Sequence, residues 1–449
     1  MRIHVIAMGG AVMHNLSIAL HLAGHQVSGS DDEIYNPAKD RLQAHGLLPA
    51  PGWDPDKLDA GVELVILGMH AKKDNPELAK AQELKLRILS YPEFIALHAT
   101  NKRRVVVAGS HGKTTTTAMI MHVLRHLGTA FDYLIGAPLE GFDHMIRLSD
   151  APLMVIEGDE YLSSPIDPVP KIIHYRPHFT VITGIAWDHI NVFPTKNDYL
   201  EVFRNYLSQL PEQAIVWYYQ GDEDLCRVVE ACPRTDLAFL PYQTPYHEIR
   251  EGLSILVRDG KEYPMQVFGQ HNMQNAEAAL QVCLALGCRE TDVLSALTSF
   301  RGAAKRLQAL YASGQTRIYL DFAHAPSKVR ATVQAIRTQY PDSRLVAILE
   351  LHTFSSLNKN FLSQYRNTLD PADEAVIFYN KHTLEIKRMP DLDPEEIKSQ
   401  FDRPDLFIFT ENAQLENYLN TLTKTQAVIL LMSSGTFNGV DIKSWAQKE

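Results

Sequence analysis

Val105-Val106-Val107-Ala108-Gly109-Ser110-His111-Gly112-Lys113-Thr114-Thr115 is the stretch whose reading decides the fold. Its β-branched run predicts a buried strand and its glycines predict a turn. The residues from Thr115 predict a helix that Gly128 stops. Strand, glycine loop, Lys-Thr and helix together make a phosphate cradle. Backbone N–H groups at the helix N-terminus point at phosphate oxygens. Lys113 reaches the β/γ end, and the Thr114 hydroxyl can sit on Mg²⁺. The usual first glycine, five residues before Gly112, is Val107 here, so the loop is a shorter variant. Gly109, Ser110, His111, Gly112, Lys113, Thr114 and Thr115 are the candidate ATP-binding residues.

Outward from that loop, the 449 residues are too many for one ordinary core and predict about three domains. A net charge of −10 argues against non-specific nucleic-acid binding, which needs a basic face. The four cysteines (Cys226, Cys232, Cys283, Cys288) form no CxxC pair. Met1 leads straight into an apolar strand, which does not resemble a signal peptide, and no apolar run is long enough to span a membrane. A reducing, cytoplasmic setting is the simple expectation.

Residues 1 to about 99 predict one α/β domain. Strand, tight turn over 8–13, helix from His14 and strand Gln26–Ser30 imitate a dinucleotide-binding unit, with Asp31 and Asp32 at the second strand's end. The three glycine positions of that fingerprint are filled by Ala7, Gly9 and Val12, so an intact nicotinamide site is not expected. Gly9-Gly10 either takes the phosphates of another nucleotide or only closes a turn.

Asn101-Lys102-Arg103-Arg104 marks a boundary, and the central domain is expected over 100–299. Leu153–Ile156 predicts a strand ending at Glu157, where a Mg²⁺ ligand belongs beside a phosphate loop. Asp188 and His189 follow a third strand at the same C-terminal edge, where α/β proteins bind ligands. A hairpin turns at Asp259-Gly260. Then Asn272 and Asn275 precede a helix expected from Ala276. Asn275 offers an amide to an adenine edge, while Asn272 is equally readable as a helix cap.

The third segment, 300–449, opens with a basic cluster around Lys305-Arg306 that can reach a γ-phosphate. Its strand–helix alternation predicts a parallel sheet with crossover helices. Asp321 to His324 follow its first strand. Glu350, His352 and Ser355 follow its second, so both groups lie on the expected cleft.

These motifs, taken in order, resemble the Mur ligases of peptidoglycan synthesis along almost the whole chain. The short phosphate loop, Glu157, Asp188-His189, His271-Asn272 to Asn275, Arg306 and Asp321 to His324 carry the resemblance. It implies three domains: a Rossmann-like UDP-binding domain, a central P-loop ATPase, and a C-terminal sheet like a dinucleotide-binding domain. It implies ATP-driven amide formation through an acyl phosphate, with ATP and Mg²⁺. Ile34 to Pro37, Glu157 to Tyr161, Lys171 to Pro177 and Trp187 to Phe193 look like the recycling branch. That branch joins UDP-N-acetylmuramate to L-Ala-γ-D-Glu-meso-diaminopimelate. The alternative is the L-alanine-adding branch of de novo synthesis. Departures fall on the amine side: Leu162, Ala325, and Leu-His-Thr-Phe-Ser-Ser after Glu350. Phe203 stands where some sister ligases carry a carbamylated lysine.

Carried over residue by residue, the resemblance gives Lys113 and Arg306 the transferring phosphate. It gives Thr114, Glu157 and His189 the metal. Asp321 takes the ribose, and Asn272 and Asn275 the adenine. Gly9, Gly10, Ser30, Asp31 and His70 take the UDP part. His324, His352 and Ser355 face the amine, which Asp188 and His324 orient or deprotonate. No nucleic-acid or membrane partner is expected, and the oligomeric state is left open as monomer or dimer. Two other classes are a nicotinamide oxidoreductase and a non-catalytic nucleotide switch. The degenerate glycine turn counts against the first. The charged groups on strand ends count against the second.

Overall fold

The computed structural model describes residues 1–250 and 252–447. Contact density divides the chain into two compact units. The first holds Met1–Ile185, Leu200–Tyr242 and Ala278–Val293; the second holds Ala186–Tyr199, Gln243–Glu277 and Leu294–Glu449.

Two sheets organise the first unit. The first is all parallel, in the order Gln26–Ser30, Arg2–Ile6, Leu64–Leu67, Ile88–Ser90. Its helix starts at Ala11, inside the stretch expected to be a turn, because the turn is only Ala7 to Gly9 and Gly10 already serves as the N-cap. The second sheet has seven strands in the order Ala238–Tyr242, Ile215–Tyr219, Phe179–Ile182, Arg103–Ala108, Leu153–Glu157, Asp132–Leu134, Ile146–Arg147. All are parallel except the last. Val105 to Ala108 are fully buried at the middle of this sheet. Strands buried on both faces read as continuous apolar runs, which is how the sequence betrays this one.

The second unit carries a six-stranded sheet in the order Gln308–Ser313, Thr316–Asp321, Ala427–Met432, Arg344–Glu350, Glu374–Phe378, Phe407–Phe409. The five strands expected to be parallel are so, and a sixth joins them. Gln308–Ser313 adds an antiparallel edge through a hairpin closed at Gly314, whose φ is 52°. The hairpin turning at Asp259-Gly260 is present, and it belongs to a three-stranded sheet with His247–Arg250.

The helix expected from Ala276 starts six residues earlier, at Gln270. Asn272 therefore sits in its first turn and is not its cap. The Asn272 amide instead donates to the Phe268 carbonyl at 2.7 Å. No helix among the described residues is long and apolar enough to cross a membrane.

Candidate active site

Strand register builds the phosphate loop. Val107 lies opposite Glu157 on one side, and Ala108 lies opposite Ile182 on the other. The C-terminal ends of three neighbouring strands therefore meet at Gly109. Gly109 has φ 120°, and a Cβ there would stand 2.6 Å from Thr183 Oγ1 and 2.7 Å from the Gly184 carbonyl. Only glycine allows this approach. Ser110 N–H donates to Gly184 O at 2.8 Å, and the Thr183 hydroxyl donates to the His111 carbonyl while lying 3.1 Å from that of Ala108.

Gly112, at φ 76°, caps the fourteen-residue helix Lys113–His126. That helix has no side-chain cap and no acidic residue in its first turn, an N-terminus whose dipole suits an anion. Lys113 curls back over the loop, donating to Gly109 O at 2.6 Å and to Glu160 Oε2 at 2.7 Å. Burial opposes its charge, but Glu160, Asp159 and Glu157 outweigh burial and raise its pKa. The Thr114 hydroxyl donates to Glu157 Oε1 at 2.7 Å, and Gly136 N–H donates to Glu157 Oε2 at 2.6 Å. A hydroxyl and a carboxylate beside a lysine and an open helix N-terminus are hard oxygen donors of the kind Mg²⁺ takes with phosphate. The donor set fits that ion.

In the first sheet, Asp31 accepts from Gly9 N–H at 2.7 Å and from Asp32 N–H at 2.9 Å. Burial raises the Asp31 pKa against these two bonds. His70 stands exposed beside Gly10, where a Cβ would lie 3.6 Å from its ring. Gly9, Gly10, Asp31 and His70 thus gather at one strand end. Ser30 does not join them at the surface: it is fully buried, and its hydroxyl accepts from Lys57 Nζ at 2.9 Å.

In the second unit, Asp188 is buried and His189 takes the left-handed φ of 58°. For a histidine that backbone is uncommon and strained, a condition found often at working sites. Asp188 accepts from His189 N–H at 2.7 Å and lies 3.3 Å from Lys328 Nζ. Burial works against its charge, but Lys328, His189 and His324 outweigh burial and hold the carboxyl well below the usual range.

His324 Nδ1 lies 2.8 Å from the Phe322 carbonyl, which can only accept, so Nδ1 carries the proton. Burial pushes the imidazole down to about 3; Lys328 adds to the fall and Asp188 opposes it. Nε2 of this neutral ring is then a lone-pair acceptor. The folded pKa lies below the unfolded one, so from about pH 6.5 downwards the unfolded chain takes up a proton that the folded chain refuses. Stability falls with pH through that window. Between pH ~7 and ~5 the parent should lose about 2 kcal/mol more than His324→Asn in urea unfolding. Equal losses would mean that the folded imidazole is charged.

Arg306 stacks 4.5 Å above the Phe322 ring, and its neighbours Lys305 and Leu307 are left-handed, at φ 55° and 46°. Asp321 accepts from Leu307 N–H at 2.9 Å and from the Thr332 hydroxyl at 2.7 Å, which leaves one lone pair on each oxygen. Asn275 lies 3.4 Å from Asn272 Oδ1 on the first turns of their helix. His352 is part-exposed, 3.8 Å from Glu350, while Ser355 is buried. Glu350 itself is buried and accepts from Ser433 and from Phe437 N–H.

Three partners escaped the sequence reading: Glu160 on Lys113, Lys328 on Asp188, and Thr332 on Asp321. Lys328 left a signal. It lies in the first turn of helix Pro326–Gln339, where the helix dipole disfavours a cation, so it needs a carboxylate. A further cluster, Glu93, Asp167 and His174, has the composition of a metal site. The Ser90 hydroxyl stands 2.9 Å from both Glu93 and Asp167, so the cluster serves as a helix cap and tie.

Family models match in sequence along the chain: the Mur ligase family catalytic domain over 2–103, the Mur ligase middle domain over 107–283, and the Mur ligase glutamate ligase domain over 305–435. The chain belongs to the Mur ligase family. Members are ATP-dependent amide ligases, and this Mur ligase has their three-domain α/β architecture. It is 28% identical over 456 residues, 98% of each chain, to UDP-N-acetylmuramate–L-alanyl-γ-D-glutamyl-meso-2,6-diaminoheptandioate ligase of Haemophilus influenzae. It is 30% identical over 370 residues to UDP-N-acetylmuramate–L-alanine ligase of Syntrophomonas wolfei, covering 79% of this chain and 77% of that one. Among solved structures, a murein peptide ligase of Psychrobacter arcticus shares the fold at TM-score 0.69 and 22% identity, covering 100% of this chain and 99% of that one. The UDP-N-acetylmuramate–alanine ligase of Thermotoga maritima shares it at TM-score 0.73 and 22% identity, covering 98% and 97%.

Proposed function

We propose that this Mur ligase joins UDP-N-acetylmuramate to the tripeptide L-Ala-γ-D-Glu-meso-diaminopimelate in the cytoplasm, as part of peptidoglycan recycling. The observation carrying that reading is on the amine side. After Glu350 the loop holds His352 part-exposed and Phe354 44% exposed, with Lys387 Nζ 4.4 Å over the Phe354 ring. An open, cationic and partly apolar surface suits a peptide with free carboxylates; a single alanine calls for a small closed pocket. The full-length likeness to the Haemophilus enzyme supports the same choice. L-Alanine is the second reading, favoured by the Syntrophomonas enzyme, which is similar at comparable identity.

The proposed chemistry follows from charge. The muramyl carboxylate attacks the γ-phosphate of ATP, giving an acyl phosphate and ADP. The peptide amine then attacks the carbonyl carbon, and phosphate leaves. Two anions must meet in the first step, so cations carry it. Lys113 and Arg306 supply two of them. Thr114 and Glu157 would hold Mg²⁺, which would neutralise charge on the transferring phosphoryl group, and His189 is the further metal ligand that the family resemblance assigns. Asn272 and Asn275 are assigned the adenine and Asp321 the ribose. Gly9, Gly10, Asp31 and His70 are assigned the UDP part; Ser30, fully buried with its hydroxyl on Lys57, is not. Asp188 and neutral His324 orient the amine or take its proton, since only the neutral amine attacks. The three segments 1–99, 100–299 and 300–449 divide these tasks.

Phosphate release with ATP, Mg²⁺ and UDP-N-acetylmuramate, with either amine added, tests the reading. The tripeptide should exceed L-alanine by about 10²-fold in kcat/KM. The reverse preference would make the protein the alanine-adding enzyme.

A further inference from the structure

Lys171 has no part in the chemistry above, yet it lies next to it. It is 8% exposed and opens the short helix Lys171–Tyr175, just after the hairpin Leu162–Ser164/Asp167–Pro170. Its ammonium lies 2.6 Å from Asp159 Oδ2, 5.5 Å from the Tyr91 ring centre and 5.7 Å from that of Tyr161. Two backbone bonds close the same loop, Lys171 N–H to Tyr161 O at 2.9 Å and Ile172 N–H to Asp159 O at 3.1 Å. The chain therefore leaves the acidic loop after Tyr161, makes the hairpin, and is tied back at its base by Lys171.

Burying an ammonium is unfavourable unless a carboxylate and further contacts compensate it. Asp159 and the two rings do so here. The tie sits between two residues the site depends on. Glu157, two residues before Asp159, holds Thr114; Glu160, one residue after, holds Lys113. When Lys113 turns from Glu160 to a phosphate, Glu160 loses its 2.7 Å partner, whereas Asp159 keeps its own cation at 2.6 Å. Lys171 is the one that stays.

We propose that Lys171 is a positioning residue for the phosphate-loop site: its ammonium fixes Asp159, and with it the backbone that aims Glu157 and Glu160. The proposal rests on reading Thr114 and Glu157 as holding a divalent cation with ATP. Partners that orient the groups holding a metal tune its affinity without touching it.

The test is binding of a fluorescent, ribose-labelled ATP analogue to the full chain, titrated with Mg²⁺. In Lys171→Met the half-saturating Mg²⁺ concentration should rise about tenfold, with nucleotide affinity at saturating Mg²⁺ little changed. Asp159→Asn, which breaks the same tie from the other side, should shift it in the same direction. Lys171→Arg keeps the charge and the stacking on the rings, and should stay near the parent. Opposite shifts in Lys171→Met and Asp159→Asn would mean that net charge alone matters, and would overturn the positioning role. A folded Lys171→Met with the parent's Mg²⁺ dependence would overturn it too. If Lys171→Met does not fold, an unshifted Asp159→Asn overturns it. Binding by the parent that ignores Mg²⁺ would instead remove the reading of Thr114 and Glu157.

Discussion

Lys113→Met should lower kcat for ligation by about 10³-fold if Lys113 has the role proposed for it, because the change removes the lysine that folds over the phosphate loop. The same change leaves Glu160, whose side chain is 1% exposed, without its 2.7 Å partner. Removing one partner of a buried ion pair costs about 3 kcal/mol, so stability should fall as well. The double variant Lys113→Met/Glu160→Gln separates the two effects. With both charges gone, the lost stability should largely return, and the lost rate should not. Turnover by the double variant within tenfold of the parent would remove Lys113 from the chemistry.

Asp188→Asn is the second large effect. The carboxylate is buried and ionised, held by Lys328 and by the His189 N–H. Asparagine keeps its shape and loses its charge. If Asp188 orients or receives a proton from the amine, kcat should drop on the order of 10²-fold while KM for ATP stays near the parent value. A variant that loses stability alone, with kcat unchanged, would make Asp188 a structural counterion of Lys328.

Much of this was legible in the residues. Val105 to Ala108 gave themselves away by an unbroken apolar run, and Gly109 and Gly112 by conformations only glycine adopts easily. Glu157 could be placed because a strand end beside a phosphate loop admits few roles. What stayed hidden depends on contacts distant in sequence. Glu160 is 47 residues from Lys113, and Lys328 is 140 from Asp188. No local period records such pairings. The start of the helix at Gln270 was hidden for another reason. Gln270, His271, Asn272 and Gln274 look like a loop by composition, and tertiary packing overrides that weak preference. The antiparallel edge Gln308–Ser313 was missed because its alternation is shallow and half-exposed.

The last strand, Ala427–Met432, lies in the middle of its sheet. It pairs with Thr316–Asp321 on one side and with Arg344–Glu350 on the other. During synthesis those two neighbours, which carry Asp321 and Glu350, leave the ribosome with a gap between them. Only Ala427–Met432, which follows both in sequence, fills it. Assembly of that sheet is therefore governed by long-range closure, and it waits until Ala427–Met432 has been made. A chain stopped short of residue 427 leaves that sheet in two halves, with an unpaired edge on each.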